Sequence, residues 1–299
     1  VSGGASRERI LRDTPHTISY QPYGADGLPQ TPSSGTVTVT TEGGDVLVSA
    51  GTVTMVGSLA TYALTVTHTA DVKRITAAWS LVIGGVAQEF TTTYEIVDER
   101  LFTEVEARAF DNNTLLDAAV YPDAKLIQGR DRIHDAFERI VRAGIGTRYA
   151  RQLFNGTGTR ELDLQRMCVT AIQSVRERTV GTQTWTAYTA EELADVFIDA
   201  GGLLVRETLG SFTAGRLNVA VEYEHGLRPI PDDLRRAALW VLRYELVPSN
   251  IDRRTTTLVD QMGTFTLATP GQRGSWYGLP EVDVVLNHYR GRYNVPAIA

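Results

Sequence analysis

Five histidines, one cysteine and an adjacent pair of aspartates are the residues of this chain best suited to chemistry, and their spacing argues against it. His16, His68, His134, His225 and His288 are scattered, and none forms the H-E-x-x-H pair or the Cys/His cluster that a zinc site needs. His134 falls on a helical pattern and reads as an ordinary surface or core residue. Cys168 lies in the apolar-leaning run MCVTAI and reads as a buried structural thiol. An activated thiol would want an electropositive, partly exposed setting, and a single cysteine rules out an internal disulfide. Asp232 and Asp233 follow Pro231 at the start of a helical pattern, where carboxylates are favourable beside the positive end of the helix dipole. Helix capping therefore explains them without a metal. Gly144-Ile145-Gly146 and Gly156-Thr157-Gly158 lack the Gly-Lys-Ser/Thr of a phosphate loop and read as a helix stop and a hairpin. No G-x-S-x-G elbow occurs. Asn112-Asn113-Thr114 and Asn155-Gly156-Thr157 match the glycosylation pattern, and both read as coincidences in a chain that opens without a secretory leader. The expectation is a protein with no catalytic residue, no cofactor and no metal.

The elements that carry these residues divide by composition. Residues 15–99 hold eight acids against Lys73 and Arg74, a net charge of −6, whereas residues 100–299 are denser in charge and nearly balanced. That shift predicts a domain boundary near residue 100. At 299 residues the chain suggests about two domains, and a hydrophobic content of 42% permits a sizeable core. No apolar run approaches the ~20 residues that span a bilayer, so the chain reads as soluble and no membrane partner is expected. All but two of the 29 basic residues are arginine. With no net basic surplus, GC-rich codon usage explains that bias better than duplex binding.

Residues 1–14 read as a flexible basic arm, with Arg7, Arg9 and Arg12 able to meet an acidic partner. Residues 15–99 alternate in strand period at Thr36–Thr40, Val46–Val48, Val53–Val56, Ala63–Thr67, Ile75–Ile83 and Phe90–Val97, with glycine-rich turns between. Seven or so short strands at this spacing predict an all-β sandwich of immunoglobulin type with Trp79 in its core, held by packing alone. Residues 100–247 read as a mainly helical core with small β elements. Ile133, Phe137, Ile140 and Val141 mark a helix stopped by Gly144. Asn155-Gly156 predicts a hairpin turn. Thr189 and Glu192 have capping-box spacing, with Leu193, Val196 and Phe197 as the apolar face of the helix that follows. Residues 248–279 read as an extended arm with a short strand near Gly263, and residues 280–299 as a C-terminal helix and tail, with Val282, Val285, Leu286 and Tyr289 on one face. The fold class expected is thus α+β multidomain: the sandwich, then a mainly helical domain, then an arm.

The most informative stretch is NVAVEYEHGLRPIPDDLRRAALWVLRYEL, from Asn218 to Leu246. A half-buried strand gives way at Gly226 and Pro229 to a helix headed by Pro231, with Leu234, Ala237, Ala238, Val241 and Leu242 at helical spacing. This strand-then-helix order, preceded by the long helix near 123–141 and the V-T-x-I-x-x-V-R strand from Val169, resembles the head–tail adaptor (connector) proteins of long-tailed bacteriophages. The tail GLPEVDVVLNHYR, Gly278 to Arg290, looks like the C-terminal signature of adaptors from actinobacterial phages.

That resemblance implies a structural virion protein: a dodecameric ring below the portal that extends the DNA channel and joins capsid to tail. The implied partners are the portal protein, neighbouring copies in the ring, a head–tail stopper or other neck or tail protein and, through the sandwich, the major capsid protein. Genomic DNA would pass through the lumen without specific binding. The implied location is the virion neck, after assembly in the host cytoplasm. Docking onto portal or a neighbour would fall to Val282, Val285, Leu286 and Tyr289, with Arg253, Arg254, Trp276 and Tyr277 in the arm. The alternative is a binding module whose sandwich recognises a glycan or a capsid partner. Exposed aromatics near Tyr20 and Tyr23 would favour it, and their burial would count against it.

Overall fold

The computed structural model describes residues 8–164, 168–179, 184–199, 203–208, 210–247, 257–260, 263–266 and 276–292. In chain order the elements are β1 (Glu8–Leu11), β2 (His16–Tyr20), β3 (Ser34–Thr41), β4 (Val46–Thr52), β5 (Thr54–Val56), β6 (Leu59–Leu64), β7 (Arg74–Ile83) and β8 (Val86–Val97). Two helices follow, α1 (Glu104–Asn113) and α2 (Asp123–Val141). Then come β9 (Arg148–Gly156), β10 (Glu161–Asp163), β11 (Val169–Arg178), β12 (Trp185–Ala187), α3 (Ala190–Ala194), β13 (Val196–Ile198), β14 (Leu203–Arg206) and β15 (Gly215–His225). The chain continues with α4 (Asp232–Leu246), β16 (Thr257–Asp260), β17 (Gly263–Thr266) and α5 (Pro280–Arg292). By contacts it forms two compact units, one of residues 1–99 and 147–226, the other of 100–146 and 227–299.

In the first unit, strands in the order β1-β8-β7-β3-β4 form one sheet and β2-β6-β5 another. Both feed one core: Val37, Ile75, Trp79 and Ile96 from the larger sheet meet Ile18, Ala60 and Leu64 from the smaller. Strict alternation along β7 turns Ile75, Ala77, Trp79, Leu81 and Ile83 inward, as a pleated strand requires. Trp79 is fully buried, and its indole N–H donates to Thr92 Oγ1 at 2.9 Å. Tyr94 donates across the sandwich to the Ser19 carbonyl at 3.0 Å. Part of the expected basic arm is strand: β1 runs parallel to β8, with Arg9 and Ile10 buried. Arg7 lies outside the described residues. Tyr20 packs on Trp79 and Phe90, whereas Tyr23 is 62% exposed.

The rest of this unit corrects the expected fold class. Residues 100–247 are not a mainly helical domain: between 147 and 226 the described chain has seven strands and only the five-residue α3, and the described residues are 42% strand against 26% helix. The sheet β12-β11-β15-β9 and the smaller β10-β14-β13 share a core of Phe154, Leu162, Val175, Leu204, Phe212 and Tyr223. The physical reason lies in β15. Its eleven residues pair with β9 on one side and β11 on the other, so a run expected as a half-buried strand is an inner strand of a sheet, buried along Asn218–His225. Strand pairing overrides one turn signal and one helix signal. Gly156 is the last residue of β9, opposite Gly215, and not a hairpin turn; a Cβ there would stand 1.7 Å from the Thr213 carbonyl oxygen. The Thr189–Glu192 capping box forms, but α3 stops at Ala194, and Val196 and Phe197 leave it for β13, paired with β14. Cys168 is half-buried and left-handed (φ 56°), not a core thiol. Contacts that join this sheet to the sandwich include Arg148 to buried Glu95 at 2.7 Å, Gln173 to the Val72 carbonyl at 2.7 Å, and Arg176 to the Gly43 carbonyl at 3.0 Å.

In the second unit, α2 buries Leu126, Ile133, Phe137 and Val141, and α4 buries Leu234, Ala237, Ala238, Val241 and Leu242. α2 ends on Arg142 in the left-handed region (φ 63°), two residues before the glycine expected to stop it. Thr103 and Glu106 form a capping box at the start of α1. Beyond its kink, Asp111, Asn112 and Asn113 are all left-handed, a conformation that Asp and Asn tolerate best among residues with a side chain. β16 and β17 pair as a hairpin within the expected arm.

Candidate docking site

The C-terminal motif folds around one carboxylate. Asp283, in the first turn of α5, is buried and accepts three backbone N–H groups: Trp276 and Tyr277 on Oδ1, both at 2.9 Å, and Gly278 on Oδ2 at 3.1 Å. Three donors on one carboxylate hold the chain in a single path as it enters the helix. Gly278 is left-handed (φ 72°), and Pro280 begins α5 with its ring at the turn where a missing N–H costs nothing. The carboxylate thereby fixes Trp276 and Tyr277. Tyr277 sets its ring edge-on to Phe137 of α2, with centroids 5.8 Å apart. Burial, with the nearby Glu245 charge, pushes its hydroxyl up to about 12.

The expected docking face of α5 is occupied within the chain. Val282 and Leu286 are fully buried, Tyr289 is nearly so and Val285 is half-buried, because α5 packs on α2 and α4. Tyr289 also donates to Asp233 Oδ1 at 2.9 Å, so one of the paired aspartates receives the last helix. A partner of α5 would meet its other side, where Val284 is 68% exposed beside exposed Asn287 and His288. Arg253 and Arg254 lie outside the described residues.

What the sequence reading missed lies beside Trp276. The last turn of α2 and the end of α5 frame an open cleft of about 430 Å³, lined by Ala136, Arg139, Ile140, Arg142, Trp276 and Arg290. The Arg290 guanidinium lies over the Trp276 ring, 4.8 Å from its centroid, and the indole N–H donates to Asn287 Oδ1 at 3.2 Å. Arg139 Nε donates to the Asp135 carbonyl at 3.2 Å. Arginine at 139 and 142 on one helix, with arginine at 290 on another, gives no local signal; only the packing of α5 on α2 brings them together.

No family model matches the sequence, and no curated protein does. Among solved structures the chain is similar to one from the neck of an empty GTA particle computed with C6 symmetry. The identity is 18% and the TM-score 0.33, over 51% of this chain and 86% of that one.

The remaining chemical candidates are structurally engaged. His134 is buried, with Nε2 2.8 Å from the Ile145 carbonyl oxygen and 3.3 Å from Glu138. Among the described residues no group of three or more His, Cys, Asp or Glu is placed to hold a metal. No described helix is long and apolar enough to cross a membrane.

Proposed function

We propose that this protein is a structural neck component of a phage-type particle, a head–tail adaptor whose copies form a ring beneath the portal. The observation that carries this reading is the way the sequence motifs close on one another. The long helix α2, the Pro231-headed α4 and the GLPEVDVVLNHYR helix α5 form one packed unit, tied by Asp283 to the turn before α5 and by Tyr289 to Asp233. Val282, Asp283, Leu286 and Tyr289 of that signature thus have packing roles. A protein that works through its surfaces is built this way: fixed shape inside, function left to the faces. The finer assignments belong to the same proposal: twelve copies, portal and stopper proteins as neighbours, and DNA passing through without specific contact. The sandwich is proposed to be of immunoglobulin type. The split into β2-β6-β5 against β8-β7-β3-β4, with β1 added parallel to β8, supports it.

The test is a reconstruction of tailed particles carrying a tagged copy of the chain. The tag is expected at the junction between portal and tail, and particles lacking the chain should be DNA-filled heads without tails. A tag on the shell or the tail tip would overturn the reading. One observation favours the glycan- or capsid-binding alternative: Tyr23 and Leu28 stand on a sandwich loop at 62% and 63% exposure. Location in the outer shell would support it.

A further inference from the structure

Two exposed features of the described chain are complementary. The first is the loop from Pro22 to Gln30. It is closed on itself by Gly24 N–H to the Leu28 carbonyl and Gln30 N–H to the Pro22 carbonyl, both at 2.9 Å. Asp26 Oδ1 accepts the Leu28 N–H at 3.1 Å, and Gly27 supplies the left-handed residue of the turn (φ 75°). The loop is therefore pre-formed, and it presents Tyr23, Leu28 and the Asp26 carboxylate to solvent. An aromatic ring and an aliphatic side chain left outside on a rigid turn mark a contact surface. The second feature is the cleft at Trp276, an aromatic and aliphatic floor (Trp276, Ile140) rimmed by the guanidinium groups of Arg139, Arg142 and Arg290.

We propose that the Tyr23–Leu28 knob of one copy seats in the Trp276 cleft of a second copy. Tyr23 and Leu28 would lie against Trp276 and Ile140, with the Asp26 carboxylate among the arginines. Guanidinium groups suit a carboxylate because their forked donors match its two oxygens. The occupant is a second copy because each chain carries both halves, and because the chain is acidic overall, at −6. Copies so charged repel at a random approach, and a cationic socket selects the one orientation that attracts. Knob and socket are different surfaces, so the contact is head-to-tail and passes from copy to copy, as the subunits of a closed ring require. A single knob covers less than the roughly 1,200 Å² of a standard stable interface. The contact is thus weak between two copies and gains strength when a ring closes. This deepens the ring reading but is tested separately: a particle could show the chain in its neck while this contact fails.

The experiment uses the full chain, its mass distribution followed by analytical ultracentrifugation up to about 100 µM, the range where a contact this small is populated. Wild type is expected to self-associate at low salt and to dissociate as salt screens the charges. Asp26→Arg and Arg290→Glu, each alone, place like charges in contact and should weaken association at least about tenfold. Mixing the two variants in equal amounts should restore it, because each then offers the charge the other lacks. A chain that stays monomeric at every concentration would overturn the proposal. So would two variants that associate like wild type, or a mixture that fails to recover. Unchanged far-ultraviolet circular dichroism of both variants confirms that folding is not what was lost.

Discussion

Asp283 makes the sharpest stability prediction. Its carboxylate accepts the backbone N–H groups of three consecutive residues, and the residue is only 6% exposed. Hydrogen bonds to a charged group contribute about 1.5–3 kcal/mol each, and a buried donor left without a partner costs about 1–3 kcal/mol. In Asp283→Asn, one oxygen can still accept from Trp276 and Tyr277, now as a neutral acceptor of roughly half the strength. The amide nitrogen then faces the Gly278 N–H, donor against donor. The expected loss is about 2–3 kcal/mol, and about 3–4 kcal/mol for Asp283→Ala, which frees all three donors. The sum is capped because Trp276 and Tyr277 are half-exposed and can recruit water. Denaturant unfolding of the full chain measures the loss, and amide hydrogen exchange locates it. The amides of Trp276, Tyr277 and Gly278 should exchange faster, while those of β7 and β8 keep their protection. If Asp283→Asn stays within about 0.5 kcal/mol of wild type, the range of an unremarkable surface change, the carboxylate is not the pin described here.

Arg148→Met takes from the buried Glu95 carboxylate its ion partner at 2.7 Å and should cost about 3–5 kcal/mol, whereas adding Glu95→Met should recover only part of that loss, because the buried Arg9 stands opposite Glu95 in β1. Strictly additive losses in thermal unfolding would show that the two charges do not act as a pair. Gly156→Ala forces a methyl group onto the Thr213 carbonyl and should cost at least about 2 kcal/mol, while Gly158→Ala nearby should cost less despite its positive φ. Equal effects at both positions would argue against the close approach. Glu106 is partly desolvated, which raises its pKa, yet hydrogen bonds from Thr103 and the charge of Arg235 hold it below the ordinary carboxylate value. Its contribution is therefore complete above the unfolded-state pKa and lost as the pH falls through the lower folded-state value. The stability gap between wild type and Glu106→Gln should shrink between about pH 6 and about pH 3. It should be small throughout, because the side chain is 40% exposed. A gap that widens toward acid would reverse the sign of this reasoning.

Much of the helical unit was legible in the chain because its signals are local. The i, i+3, i+4 stripe of α4, the Pro231-Asp232-Asp233 start and Pro280 before α5 act over one or two turns, and each marks its element without information from the rest of the chain. The same holds for β7, whose alternation buries Trp79 with no information from other strands. In residues 147–226 the alternation marked strands such as β11, β14 and β15, but that they assemble into two sheets and outweigh helix was not legible, because a strand's stability comes from partners far along the chain. β15 needs β9 and β11, Gly156 needs Gly215 across from it, and Val196 and Phe197 take strand form only because β14 is there to pair with them. The face of α5 shows the limit from the other side. Its apolar spacing was plain, but spacing cannot say whether α2 and α4 or another protein covers it. Likewise Arg139, Arg142 and Arg290 have nothing in common in sequence, and they rim one cleft only because α5 lies against the last turn of α2. The sequence by itself determined where the strongest local helix starts and strand alternations fall. Tertiary packing alone decided which faces stay open, because burial is a property of pairs of surfaces and a chain in one dimension carries only half of each pair.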